Sequence, residues 1–158
     1  GAADQSALAH IFEEWADESL YFYDLTMRSW PNNASLLADD LVMEDRGMLR
    51  AVLHRLAPRV IARQAHAQGI GRKDRAAVCE EVSTHFRAID TLVSNRPWLV
   101  GEALSIADIS VVSMLTVLDR AEEARALMAD FPALLAWWEK VDGLTLPAGT
   151  APQQRALA

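Results

Sequence analysis

The sequence predicts an all-α fold, a helical bundle of about five to six helices around a buried central helix. Three observations carry that prediction. The 158 residues include 27 Ala and 20 Leu, residues that favour helix over other backbone states. Apolar side chains recur at three- and four-residue steps in one segment after another, and no segment reads as a clear strand. One stretch, Ile106 to Leu118, is apolar on nearly all sides, which only a helix enclosed by others tolerates.

The elements follow in order. A first helix is expected from Gln5 to Ser29, its stripe made of Leu8, Ile11, Phe12, Trp15, Ser19, Phe22 and Thr26. Trp30-Pro31-Asn32-Asn33 ends it, because the residue before proline avoids the helical region and Asn suits turns. Residues 31–45 read as a loop with one short helical turn near Leu36–Leu41. A second helix, Asp45 to Ala67, places Leu49, Val52, Leu53, Leu56, Val60 and Ile61 on one face and should kink or break at Pro58. Gln68-Gly69-Ile70-Gly71 reads as its cap and turn. A third helix starts at Asp74, a good N-cap, and should bury Val78, Val82, Phe86, Ile89 and Val93 before Asn95-Arg96-Pro97 closes it. The central helix opens at Ser105. A further helical stretch covers about Arg120–Ala129, and a last helix runs from Pro132, a favoured first residue, to Asp142-Gly143. The domain is therefore expected over 1–143, with 144–158 an irregular tail.

Composition and charge narrow the function classes. The length fits one compact domain, and 51% hydrophobic with 23% charged residues excludes an intrinsically disordered chain. A single cysteine, Cys79, excludes a disulfide framework, and without a second one there is no CxxC pair for zinc. The net charge of −7 argues against nucleic acid as a partner. The longest apolar run is too short and too polar for a membrane span, and no signal-peptide pattern opens the chain, so a cytoplasmic setting is expected. The charge is segregated: residues 1–45 carry −9, residues 46–75 carry +7, and the remainder −5. Such neighbours are expected to attract each other.

One motif is sharp. In Pro97-Trp98-Leu99-Val100-Gly101-Glu102-Ala103-Leu104-Ser105-Ile106-Ala107-Asp108, Ser105 is placed as N-cap and Asp108 as the reciprocal N3 acid of a capping box. Leu104 and Ile109 stand where a hydrophobic staple would close over it. This run resembles the signature of the C-terminal helical domain of the glutathione S-transferase superfamily. Phe131-Pro132-Ala133-Leu134-Leu135-Ala136-Trp137-Trp138-Glu139-Lys140-Val141 resembles that family's later Trp-bearing helix, and the upstream helices match it in order.

The resemblance implies a domain that shapes the second-substrate pocket and much of a dimer surface. In the family a thioredoxin-like domain supplies the glutathione contacts and the catalytic residue. Nothing in these 158 residues reads as that unit. The chain alone is therefore expected to be catalytically incomplete, with no catalytic residue and no bound cofactor, glutathione being the co-substrate of an intact parent and a hydrophobic electrophile the second substrate. The partners implied are a second copy in a homodimer or a thioredoxin-like domain. The alternative function is a non-catalytic interaction module of the same fold. By position on the first helix, the resemblance marks Tyr21, Tyr23, Asp24, Met27 and Arg28 as substrate-binding candidates, with packing against neighbouring helices as the competing role.

Three further patterns stand apart from it. Arg46, Arg50, Arg55, Arg59 and Arg63, joined by His54 and His66, form a basic stripe, either paired with the acidic first helix or a symmetry mate, or open to an anionic partner. Glu81 and His85 lie one helical turn apart, but the second such pair that a di-metal bundle needs is missing, so no metal site is expected. Asn33-Ala34-Ser35 has the form of a glycosylation acceptor and is not expected to act as one without a secretory signal.

Overall fold

A computed structural model of the chain describes residues 1–36 and 48–146. Among the described residues all regular structure is helical. α1 (Ala2–Trp15) passes through a single π-helical turn (Ala16–Leu20) into α2 (Tyr21–Arg28). α3 (Met48–Gln68) leads by a 3₁₀ turn (Ile70–Arg72) into α4 (Arg75–Asn95). α5 (Ile106–Leu118), α6 (Glu122–Met128) and α7 (Pro132–Thr145) complete the bundle. Among the described residues seven α-helices stand where five to six were expected, because the π turn divides the first and a turn at 119–121 separates α6 from α5.

α5 is the hub. It packs against α1, the π turn and α2 on one side and against α7 on another, while α4 packs on α6 and α7, and α3 on α2. Its Ala107, Val111, Leu115 and Leu118 are fully buried. They meet Leu20 and Met27 from the first rod, Phe86 and Ile89 from α4 and Leu134 and Trp137 from α7 in one core. Phe86 and Phe131 meet edge to face there, centroids 6.1 Å apart.

Three expectations about faces are corrected. The buried side of the first rod centres on Ala9, Ala16, Leu20, Tyr23 and Met27, one residue round from the expected stripe; of that stripe Thr26 is buried and Phe12 and Trp15 pack against the core, while Leu8 (45%) and Ile11 (60%) remain exposed. Close approach to α5 favours the small Ala9 and Ala16 over larger side chains, and the one-residue offset is the same before and after the π turn. α3 differs in part: Ala57 and Ala65 are buried with Ile61 half-buried between them, Val52, Leu56 and Val60 are exposed, and the Leu49 and Leu53 side chains lie outside the described residues. α5 is not enclosed on all sides, since Ile106 and Ile109 lie exposed.

The ends also differ in places. α3 runs through Pro58 without a break. α7 continues past Gly143 to Thr145, so Leu144 and Thr145 belong to a helix and not to an irregular tail. A helical turn begins at Ala34; the remainder of the expected turn near Leu36–Leu41, the start of the second helix at Asp45, Arg46 and residues 147–158 lie outside the described residues. The start of α4 is as expected, with the Asp74 carboxylate accepting from Ala77 N–H at 2.9 Å. Gly69 adopts φ +130°, a conformation side chains disfavour, and its N–H closes on Ala65 O at 3.1 Å to end α3.

Candidate functional site

Asp108 gathers four hydrogen bonds within the core. Its carboxylate is fully buried. Oδ2 accepts from Ser105 N–H at 3.0 Å and from Ser105 Oγ at 2.8 Å. Oδ1 accepts from Leu99 N–H at 2.8 Å and from Trp137 Nε1 at 3.1 Å. The residue therefore closes the capping box of α5, pins the 97–101 loop and ties α7 to the helix start. Only the first of these tasks was legible in the local spacing. The two sharp sequence runs thus meet at one carboxylate, which satisfies four donors that burial would otherwise leave costly. Leu104 packs against the core beside it, whereas Ile109, the other half of the expected staple, is 39% exposed.

The candidate substrate residues do not share one surface. Tyr23 and Met27 belong to the core. Asp24 and Arg28 are buried on the same helix, 3.8 Å apart across one turn. Tyr21 alone is exposed, its ring edge-on to Phe22 at 5.2 Å.

Tyr23 instead joins a second cluster, built across the π turn. Its hydroxyl donates to Glu81 Oε2 at 2.7 Å. Lys73, just past the 3₁₀ turn, donates to both oxygens of Glu81 at 2.7 and 2.6 Å. One turn further along α4, the His85 ring lies between Trp15 (5.4 Å) and Tyr23 (5.2 Å), edge-on to each. The π turn separates Trp15 from Tyr23 in sequence, and both rings reach the one imidazole; such turns often mark functional sites.

Each group is tuned by this packing. Burial, then the bond to Glu81, holds the Tyr23 phenol well above its usual range. The bonds from Lys73 and Tyr23 hold Glu81 below the usual carboxylate range. Burial lowers His85, with the Glu81 charge opposing. The resulting arrangement keeps Tyr23 as a protonated donor and His85 neutral at physiological pH, which suits holding helices together and does not suit presenting a phenolate. Cys79, on the same helix, has its thiol raised by burial, partly offset by Arg75.

A third network was hidden from the sequence. Asn33 is 1% exposed. Its amide nitrogen donates to Met27 O at 2.9 Å and Glu123 Oε2 at 2.7 Å, and its oxygen accepts Glu122 N–H at 3.1 Å. It caps α6 from 89 positions away, and in the folded chain its amide has no access to a glycosylating enzyme. Arg75 pairs with Glu123 beside it and stacks over Trp30 at 4.7 Å. Asp90 does the same for α7, accepting Leu134 N–H at 2.9 Å. Among the described residues no group of three or more His, Cys, Asp or Glu is placed to hold a metal, and no helix is long and apolar enough to cross a membrane.

Two grooves open elsewhere. One of about 290 Å³ lies between α5 and α7, lined by Ile109, Val112, Thr116, Val141 and Leu146 among others. The other, about 480 Å³, lies between α1 and the 100–105 loop.

The fold and the Asp108 junction define a class: an all-helical domain assembled around a core helix whose start is fixed by a buried capping box. The family model for the glutathione S-transferase, C-terminal domain, matches residues 48–144, and the chain belongs to that family. Searches of curated proteins and of solved structures returned no significant match.

Proposed function

We propose that this chain is the helical half of a two-domain glutathione S-transferase-like protein and is catalytically incomplete alone. In the reaction of such a pair, the glutathione thiolate attacks an electrophilic carbon, the sulfur–carbon bond forms, and the leaving group departs with its electron pair. The thioredoxin-like half would bind glutathione. This half would supply the apolar wall that orients the electrophile.

The observation that carries the reading is the bare apolar face of the core helix. Ile106 and Ile109 stand exposed at the capped start of α5, with Leu144 and Leu146 exposed at the end of α7, and Ile109 and Leu146 line the 290 Å³ groove between the two helices. A central helix exposing isoleucines is ready for a second domain. The chain's own chemistry agrees: the Tyr23 hydroxyl is committed to Glu81 and is a weaker acid than free tyrosine, so it does not stabilise a thiolate.

Calorimetry with glutathione tests this directly. The chain alone should show no binding heat. The same chain joined to the thioredoxin-like domain of its own reading frame should bind, and Ile109→Asp should weaken the docking of the two halves. Micromolar glutathione binding by the chain alone, or a parent reading frame with no thioredoxin-like segment, overturns the reading.

A further inference from the structure

The longest acid-free stretch of the chain lies between Asp45 and Asp74, where seven basic residues stand without one Asp or Glu. α3 fills most of it. On this helix Val52, Leu56 and Val60 are 45%, 50% and 63% exposed and form one row at four-residue spacing. Arg55, Arg59 and Arg63, all exposed, form a second row at the same spacing. At about 100° per residue the two rows run side by side, about 60° apart on the cylinder, with Ala57, Ile61 and Ala65 on the opposite side. α3 rests on α2 by that inner side, so both outer rows face solvent. Among the described residues no ion pair engages the three arginines. The expected pairing with the acidic first helix is therefore not made within the chain.

An aliphatic row edged by arginines has a specific chemistry. Arginine stems lie along apolar surface while the guanidinium groups reach past it, and their fork fits the paired oxygens of a phosphodiester. A helix built this way suits the boundary between lipid tails and headgroup phosphates. A partner helix suits it less. The described apolar row drifts about 40° at each four-residue step, whereas a coiled-coil seam alternates three- and four-residue steps to keep to one side. A lipid surface demands no such register. The net charge of −7 opposes approach to anionic lipid, but at physiological ionic strength screening confines that repulsion to about 8 Å, less than the width of one helix. The side chains of α3 itself carry no negative charge.

We propose that the outer face of α3 docks on an anionic membrane surface. The helix lies along the headgroups without crossing them: Val52, Leu56 and Val60 enter the boundary, and Arg55, Arg59 and Arg63 bind lipid phosphates. Attachment is reversible, because three aliphatic side chains bury little area, and the arginines make it depend on salt. None of this rests on the thioredoxin-like partner: glutathione binding and membrane docking can each fail while the other stands.

Co-sedimentation of the full chain with vesicles tests it. At low salt the chain should pellet with vesicles of equal parts phosphatidylserine and phosphatidylcholine, and stay in solution with phosphatidylcholine alone. Raising salt to about 1 M, where screening acts within about 3 Å, should lower the partition at least about tenfold. Arg55→Gln, Arg59→Gln and Arg63→Gln together should lower it about a hundredfold, at about fivefold for each arginine. Arg87→Gln, at an exposed position on α4, should leave it unchanged. A bimane label at Leu56→Cys, in a Cys79→Ala background, should shift to the blue on the anionic vesicles; it stands in for a triple variant that loses its helical circular dichroism. No pelleting with the anionic vesicles, equal pelleting with both kinds, a folded triple variant that binds like the parent, or an unshifted label overturns the proposal. Capture of the chain by poly-glutamate without vesicle binding would overturn it in favour of an acidic protein partner.

Discussion

α3 and α4 are both 21 residues long, and both carry apolar side chains at helical spacing. In α4 the row Val78, Val82, Phe86 and Ile89 is buried to 1% or less. In α3 the row Val52, Leu56 and Val60 is about half exposed, and the residues it buries are the small Ala57 and Ala65, with Ile61 half-buried between them. The difference lies in the neighbours. α4 packs on α6 and α7, which offer large apolar surfaces, whereas α3 rests on α2, whose side chains include the buried Asp24 and Arg28. Periodicity shows that a helix has an apolar side. It does not show that the chain itself covers that side.

The largest effect sharpens this contrast. Phe86→Ala in α4 should cost about 3–5 kcal/mol, because a cavity opens where Phe86 meets Phe131. Leu56→Ala in α3, where the side chain is 50% exposed, should stay within about 0.5 kcal/mol. Urea denaturation of both variants checks the pair, and equal losses would mean that α3 buries its outer row after all.

Next comes the junction that both helices lack. Asp108→Ala removes the cap of α5 and leaves the Leu99 and Trp137 N–H groups buried without an acceptor. The expected cost is about 3 kcal/mol or more, above the 0.5–2 kcal/mol of an ordinary cap, with slower refolding. A denaturation midpoint equal to the parent's would sink the assignment.

The smallest effect is a pH slope. His85 has its folded pKa lowered by burial, so the unfolded chain takes up the proton first as pH falls below about 6.5. Stability is full above that value and declines below it. Glu81, also lowered, acts in a lower window: its contribution is present above the ordinary carboxylate pKa and is lost as pH falls through its folded value. His85→Gln should therefore flatten the stability curve between pH 7 and 5 and leave the more acidic limb in place. An unchanged slope would remove His85 as its cause, leaving Lys73 and Glu81 as the charged groups nearest by.

Local features were legible. Asp74 capping α4, Gly69 ending α3 and the Ser105–Asp108 box all involve residues within four positions of each other. Distant ones were not. Nothing local marks Asn33 as the cap of α6, Asp90 as the cap of α7 or Tyr23 as the partner of Glu81. Tyr23 was singled out for substrate binding, while Glu81 and His85 were weighed only as a metal pair. Their joint cluster needs the π turn, for which no residue type is diagnostic.

The bundle's class and its central capped helix were written in the sequence, because helix propensity, apolar period and capping are short-range physics. Even the charge segregation, −9 then +7, could be read by counting. Which side of each helix is buried was decided only by the tertiary structure, because burial depends on the area that a neighbour offers. That is why the α4 stripe became a core face while Val52, Leu56 and Val60 of α3 stand outward.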